Sequence, residues 1–198
     1  MQHSNNVSKK PLPKGARKVF KGILFDVHHW DQEMFDGSSK TMEVLTSRSV
    51  VDIIAIVGDK IIVLDQEQPH RSMFCCIPGG HVEDDELPVE SAKRELLEET
   101  GYESASSDFT IFSESFGSSK IAVHESIYLA RNCKKVASQK LDPGEKITVK
   151  FVEFDDFLQL CRDRNFSTAS ELKRLMYEAL LDKRKKKEMK NRIFGSKK

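Results

Sequence analysis

The sequence predicts an α/β fold, an α/β/α sandwich on a mixed β-sheet preceded by an N-terminal antiparallel β element. Three observations carry this. Apolar runs of strand length at 50–57, 60–65 and 147–154 lie between polar turns. Between them, Pro78-Gly79-Gly80 opens a loop that leads into a helical pattern ending at Gly101. A second helical stripe, Leu172, Leu175, Met176, Ala179 and Leu180, follows near the C-terminus.

In chain order, Met1 to Gly15 is polar and basic with nothing to bury, and residues 1–16 are expected to be a disordered N-terminal segment. Val19, Phe20, Ile23, Leu24, Phe25 and Val27 mark a first strand within Arg17 to His28. His29 to Lys40, with Asp36-Gly37, reads as a loop or hairpin turn, and Thr41 to Thr46 as a second strand. Val50 to Val57 is apolar almost throughout, which suits a strand buried on both faces. Gly58-Asp59 turns the chain into Lys60 to Asp65, Gln66 to Ser72 reads as a polar loop, and Met73 to Ile77 leads to the glycines.

Phe109 to Phe116 and Ile121 to Arg131 are the next strands, and Ile147 to Phe154 alternates like a half-buried one. Asp155 is placed to cap a short helix, and Thr168 with Glu171 to form the capping box of a longer one. Residues 17–182 make one domain, and 183–198 form a basic C-terminal tail.

Composition narrows the class. Apolar residues make up 38% and charged residues 32%, as in a soluble globular protein. No apolar run approaches the roughly 20 residues of a membrane helix, and the first residues lack the apolar stretch of a signal peptide. Cys75, Cys76, Cys133 and Cys161 form no C-x-x-C pair, which points to a reducing, cytoplasmic setting without a membrane. The net charge of +1 conceals an asymmetry: residues 183–198 hold nine Lys or Arg and one acid, leaving 23 basic and 30 acidic groups elsewhere. The body is acidic and the tail basic. A basic run attracts phosphate backbones, so nucleic-acid binding through the tail is the rival hypothesis, weighed below catalysis because the body is acidic.

The chemistry concentrates in Gly80 to Tyr102, G-H-V-E-D-D-E-L-P-V-E-S-A-K-R-E-L-L-E-E-T-G-Y. Pro88 suits a first helical turn and Gly101 a left-handed C-cap. On such a helix Glu95, Glu98 and Glu99 share one face, while Val89, Ala92, Leu96 and Leu97 fall on the adjoining side. Clustered carboxylates repel unless a cation neutralises them, and all-oxygen ligation suits Mg2+ or Mn2+. For an arbitrary helix, a solvated acidic face balanced by Lys93 and Arg94 explains the same residues.

The stretch resembles the Nudix box, G-x5-E-x7-R-E-U-x-E-E-x-G-U, in Gly80, Glu86, Arg94, Glu95, Leu96, Glu98, Glu99 and Gly101, with Tyr102 in place of the last aliphatic residue. At roughly 7% per position, seven fixed identities arise by chance about once in 10^8 start points. The resemblance implies a Nudix-type sandwich and hydrolysis of a nucleoside diphosphate linked to another moiety.

It makes Glu95, Glu98 and Glu99 the ligands of Mg2+ or Mn2+, with the Gly79 carbonyl as a further one, and Arg94 and Glu86 a brace between loop and helix. Glu98, Glu99, Arg94 and Glu145 are the catalytic candidates, Glu145 as a base from a loop well after the box. Arg71, Gly80 and Phe116 are the substrate-binding candidates.

Outside the box, the order of elements is similar to the ADP-ribose and nucleoside-diphosphate-sugar pyrophosphatase branch. That branch implies a nucleotide sugar as substrate and a homodimer. Asp85 stands where the branch often has glycine, and Gln66-Glu67-Gln68 stands near its Gln-Tyr-Arg run. Hydrolysis of a nucleoside triphosphate or a dinucleoside polyphosphate is the alternative within the family, and RNA decapping through the tail the alternative outside small molecules. Cys75 and Cys76 alternate across a strand and read as packing residues, as do His28 and His29; His81, Trp30 and Tyr102 could meet a phosphate or a base, with packing the simpler role for each.

Overall fold

Strand-forming residues at the N-terminus pair with one another before the main sheet begins. The computed structural model describes residues 12–117 and 120–195, so the disorder expected of the first segment lies largely outside the described residues. The single strand expected over 17–28 is two strands, β1 (Arg17–Lys21) and β2 (Phe25–Glu33). Gly22 turns the chain between them, its N–H donating to the Phe25 carbonyl at 3.0 Å. The loop expected over 29–40 shrinks to a turn at Asp36-Gly37, because β2 pairs with β3 (Ser39–Ser47) from Phe25↔Ser47 to Glu33↔Ser39. Cross-strand contacts from His29 to Glu43 and from Thr41 to Asp31 hold the longer hairpin.

The main sheet starts with β4 (Val50–Val57), β5 (Lys60–Gln68), β6 (Arg71–Cys76) and β7 (Gly79–His81). The polar loop expected at 66–72 is only Pro69-His70, since β5 and β6 pair out to Gln68↔Arg71. Helix α1 (Pro88–Thr100) and the short strand β8 (Tyr102–Glu103) lead to β9 (Phe109–Phe116). The run 121–131 divides at Val123 into β10 (Ile121–Ala122), parallel to β3, and β11 (His124–Ala130), parallel to β4. One stretch thus stitches the N-terminal sheet to the main one. The chain continues through β12 (Lys134–Lys135), β13 (Lys146–Val152), α2 (Phe154–Gln159), β14 (Phe166–Ser167), α3 (Ser170–Leu181) and α4 (Lys183–Phe194). The main sheet runs β14-β6-β5-β4-β11-β9, with β13 also on β5 and β7 also on β4.

Strand β4 shows why this is an α/β/α sandwich. Successive side chains point to opposite faces. Val51, Ile53 and Ala55 pack with Ala92 and Leu96 of α1, while Ile54 and Ile56 pack with Phe157, Leu158, Leu172 and Met176 of the C-terminal helices.

The helix caps differ from those the sequence suggests. Glu153, not Asp155, precedes α2, and no side chain caps it. Thr168 and Glu171 form no capping box: Thr168 Oγ1 and the Ala169 N–H instead donate to Asp52 of β4, at 2.6 and 2.8 Å, and Glu171 pairs with Arg174. The local motif does not close because α3 starts one residue late for it, with Ala169 in the N-cap position, and the Thr168 hydroxyl is turned to Asp52.

The stretch read as a basic tail is largely helix α4, capped by Asp182 and packed on the core through Met189 and Ile193. Several of its cations are engaged by the fold, and Arg131 after β11 reaches its main chain. Lys185 and Lys186 pair with Glu178 and Asp155, Arg192 donates to the Phe112 carbonyl at 2.6 Å, and Arg131 donates to the Ile193 carbonyl at 2.9 Å. Among the described residues no helix is long and apolar enough to cross a membrane. Ile193→Ala is expected to destabilise the protein by about 2–5 kcal/mol in urea unfolding. A change under about 0.5 kcal/mol, usual for a solvated surface site, would contradict core packing of α4.

Candidate active site

Helix α1 is held at both ends. Pro88 starts it, and Gly101 ends it at φ 71°, with its N–H on the Leu97 carbonyl at 2.7 Å. A Cβ on Gly101 would lie 2.2 Å from the Ala137 carbonyl oxygen, so glycine is required on two grounds. The segment from β12 onward satisfies the carbonyls of the last turn: Lys140 N–H donates to Glu98, Gln139 Nε2 to Glu99 and Lys135 Nζ to Thr100, at 2.8, 2.6 and 2.6 Å. That docking brings the Asp142–Glu145 turn beside the acidic face of α1.

Ala92 and Leu96 face the sheet, fully buried, whereas Leu97 is partly exposed. Glu95, Glu98 and Glu99 face a cleft of about 530 Å³, together with Gly79, Gly80, Arg71, Arg94 and Glu145. The structure therefore gathers every predicted site residue except Phe116. That side chain lies at the end of β9, partly exposed and stacked on His124 at 5.0 Å, outside the cleft lining. β9 is the edge strand beyond β11, and Phe116 at its end pairs with His124. Trp30 and Tyr102 are also outside the lining, and His81 is inside it.

Arg94 is the hub of the charged groups. Its Nε and Nη2 grip Glu86 with two bonds of 3.0 Å, its Nη1 reaches Glu95 at 2.9 Å and Glu98 at 3.1 Å, and Nη2 also donates to the His81 carbonyl at 3.3 Å. The guanidinium hydrogen bond lowers the Glu86 pKa below its ordinary 4.5. Glu86 is reached through Asp85, which adopts φ 68° and so takes the left-handed conformation a glycine would hold at less cost.

Glu99 is almost fully buried and accepts a 2.8 Å bond from the Gly79 N–H. Burial raises its pKa well above the ordinary carboxylate value, and burial also raises those of Glu95 and Glu145. A Cβ at Gly80 would sit 2.4 Å from Glu95 Oε1, so a larger residue there would displace that carboxylate from its present position.

Sequence reasoning missed Arg48, Asp52, Gln66 and Lys140, all of which line the cleft. Asp52 had a visible signal, a lone acid inside V-V-D-I-I-A-I-V. Arg48, in the short link between β3 and β4, had none. Cys76 is buried, Cys75 is half-buried, and all four cysteines are free thiols.

The donors on the α1 face are hard carboxylate oxygens beside the glycine-loop main chain, a set suited to a small divalent cation. They are not pre-gathered: among the described residues no three acidic, His or Cys groups converge on one point as a ligand cluster, since Arg94 holds Glu95 and Glu98 while Glu99 is tied to Gly79. Burial raises the pKa values of Glu95 and Glu99, a cation in the cleft would favour their charged forms, and the residues fit such a cation.

Fold and site together define a phosphoanhydride hydrolase with an acid-faced helix behind a glycine loop. The NUDIX domain matches residues 46–174, and the chain belongs to the Nudix family as one of its pyrophosphohydrolases. It is similar to an ADP-ribose pyrophosphatase of Bacillus subtilis (strain 168), 29% identical over 164 residues that cover 81% of this chain and 88% of the relative. It is also similar to a methanol dehydrogenase activator of Bacillus methanolicus, 28% identical over 176 residues, 87% of this chain and 94% of the relative. Among solved structures, an ADP compounds hydrolase superposes with a TM-score of 0.67 at 22% identity, covering 85% of this chain and 92% of the other, which shows the shared fold.

Arg94→Lys replaces a planar fork with a point charge that cannot serve Glu86, Glu95 and Glu98 together. Stability at neutral pH is expected to fall by about 1–2 kcal/mol, allowing for partial exposure. Because the folded state depresses the Glu86 pKa, the pair stabilises fully above about 4.5 and loses its effect as pH falls through the depressed value. Unfolding titrations of both proteins should therefore converge in acid, and a gap independent of pH would contradict the ionic account.

Proposed function

We propose that this chain is a Mg2+- or Mn2+-dependent hydrolase that cleaves the diphosphate of ADP-ribose or another nucleotide sugar, giving a nucleoside monophosphate and a sugar phosphate. The observation that carries the proposal is a cleft lined by both signs of charge. Glu95, Glu98 and Glu99 line it together with the cations Arg48, Arg71 and Lys140, and Glu145 sits on the loop docked to α1. A diphosphate needs both signs: carboxylates to hold its counter-cation, and cations to meet its oxygens. The name of the Bacillus subtilis relative supports a nucleotide sugar as the linked moiety.

Glu95, Glu98, Glu99 and the Gly79 carbonyl are the groups that would hold the metal. When bound, it supplies charge neutralisation of the diphosphate and activation of a water. Arg94 and Glu86 keep the ligand wall aligned, and Gly80 leaves room for Glu95. Arg71, stacked 3.5 Å from the Phe74 ring centre, is steadied for a phosphate contact. Glu145 accepts the proton as the water oxygen bonds to phosphorus and the bridging P–O bond breaks, so that the leaving phosphate takes the displaced electron pair. Burial raises the Glu145 pKa and makes it a stronger proton acceptor than a solvated carboxylate.

The exposed apolar residues Phe20, Ile23, Leu24 and Phe25 at the β1–β2 turn support a homodimer, and the free thiols fit a cytoplasmic setting.

A panel of nucleotide sugars, dinucleotides and triphosphates assayed with Mg2+ tests the reading. A nucleoside monophosphate plus a sugar phosphate is the expected product pair, and free pyrophosphate would assign a triphosphate instead. Glu98→Gln should lower kcat about 100-fold or more, and activity indifferent to both chelator and Glu98 would sink the metal assignment. Glu145→Gln should lower kcat by roughly 10^2–10^4 with KM little changed. An unaltered kcat would retire Glu145 as base in favour of Glu98 or Glu99.

A further inference from the structure

Gln66 is the buried polar side chain on β5 at the point where that strand meets both neighbours, facing Phe74 of β6 and Ile147 of β13 in register. Its amide bridges two groups that are distant in sequence. Cys76 Sγ donates to Gln66 Oε1 at 3.3 Å, and Gln66 Nε2 donates to Glu145 Oε1 at 3.5 Å. The other carboxylate oxygen of Glu145 accepts from the Asp142 N–H at 3.3 Å. Among the described residues each oxygen of Glu145 thus has one donor, and one of the two donors is set by the buried end of the chain of contacts.

We infer that Gln66 is a positioning residue for Glu145, and that the Cys76 thiol fixes which end of the Gln66 amide faces it. The inference rests on Glu145 being the base. The two ends of a glutamine amide have nearly the same shape, so partners decide its orientation. Burial pushes the Cys76 thiol up, so it stays protonated and acts as a donor. A donor beside the amide selects Oε1, which leaves the NH2 for Glu145. In the flipped orientation two acceptors would face each other across the same gap, and the loop carboxylate would turn away. The contacts at 3.3–3.5 Å are at the long end for hydrogen bonds, so the amide aims Glu145 without locking the loop.

The test compares kcat and KM on the best nucleotide-sugar substrate, with saturating Mg2+, for wild type, Gln66→Leu, Cys76→Ala, Cys76→Ser, Glu145→Gln and the Gln66→Leu/Glu145→Gln double variant. Gln66→Leu is expected to lower kcat roughly ten- to a hundred-fold with KM within about two-fold, as for a misplaced catalytic group. Added to Glu145→Gln, it should cost nothing further. Cys76→Ala should lower kcat to a smaller extent, and Cys76→Ser, which keeps a donor, should recover it. A loss in the double variant equal to the product of the single losses would overturn the inference, as would an unchanged kcat in Gln66→Leu while Glu145→Gln is impaired. If Glu145→Gln is itself unimpaired, the base assignment and the inference fall together. Should Gln66→Leu fail to fold, the cysteine pair decides, and equal kcat in Cys76→Ala and Cys76→Ser overturns the role of the thiol.

Discussion

The site depends on one guanidinium. Glu86, Glu95, Glu98, Glu99, Glu145 and Asp52 lie around or beside a single cleft, and Arg94 is the cation that bonds three of them. Its two bonds to Glu86 tie the loop after β7 to α1, and its bonds to Glu95 and Glu98 hold the acidic face of the helix on the same support. Glu99 and Asp52 lie away from Arg94, where burial raises their pKa values and, among the described residues, main-chain N–H groups and a hydroxyl meet them. Acidity is tolerated near the surface by an ion pair and in the interior by directed hydrogen bonds.

The sandwich supplies those bonds because β4 runs through its centre. Asp52 stands opposite Gly79 in the β4–β7 ladder and accepts from Thr168 and Ala169 at the start of α3. Gly79 in turn donates to Glu99 of α1. A Cβ at Gly79 would lie 2.2 Å from the Val51 carbonyl oxygen, so the close approach of β7 to β4 that links these groups requires glycine. The start of α3 and the end of α1, on opposite faces of the sheet, are thereby each tied to the β4–β7 ladder at neighbouring positions, Asp52 and Gly79.

Much of this was legible in the sequence where the determinants are local. The bounds of β4 follow from its apolar run, and those of α1 from Pro88 and Gly101. The converging acidic face follows from the three- and four-residue spacing of its glutamates. What failed involved distant partners. Nothing near Thr168 shows that its hydroxyl goes to a residue 116 positions away rather than to Glu171. The break at Val123 depends on two sheets competing for one strand, and the edge position of β9 that leaves Phe116 outside the cleft lining depends on the order of distant strands. The basic C-terminal run drew attention to its charge, while Met189 and Ile193, one helical turn apart, were enough to bury one side of α4.

The most direct measurement is the position of Mn2+ by anomalous scattering in crystals grown with that ion. Manganese should lie about 2.1 Å from carboxylate oxygens of the Glu95, Glu98 and Glu99 set, beside the Gly79 carbonyl. Arg94 should keep both bonds to Glu86 and release at least one of its bonds to the ligand carboxylates. Manganese bound elsewhere, or an Arg94 that keeps Glu95 and Glu98 with no metal beside them at saturating concentration, would contradict the account.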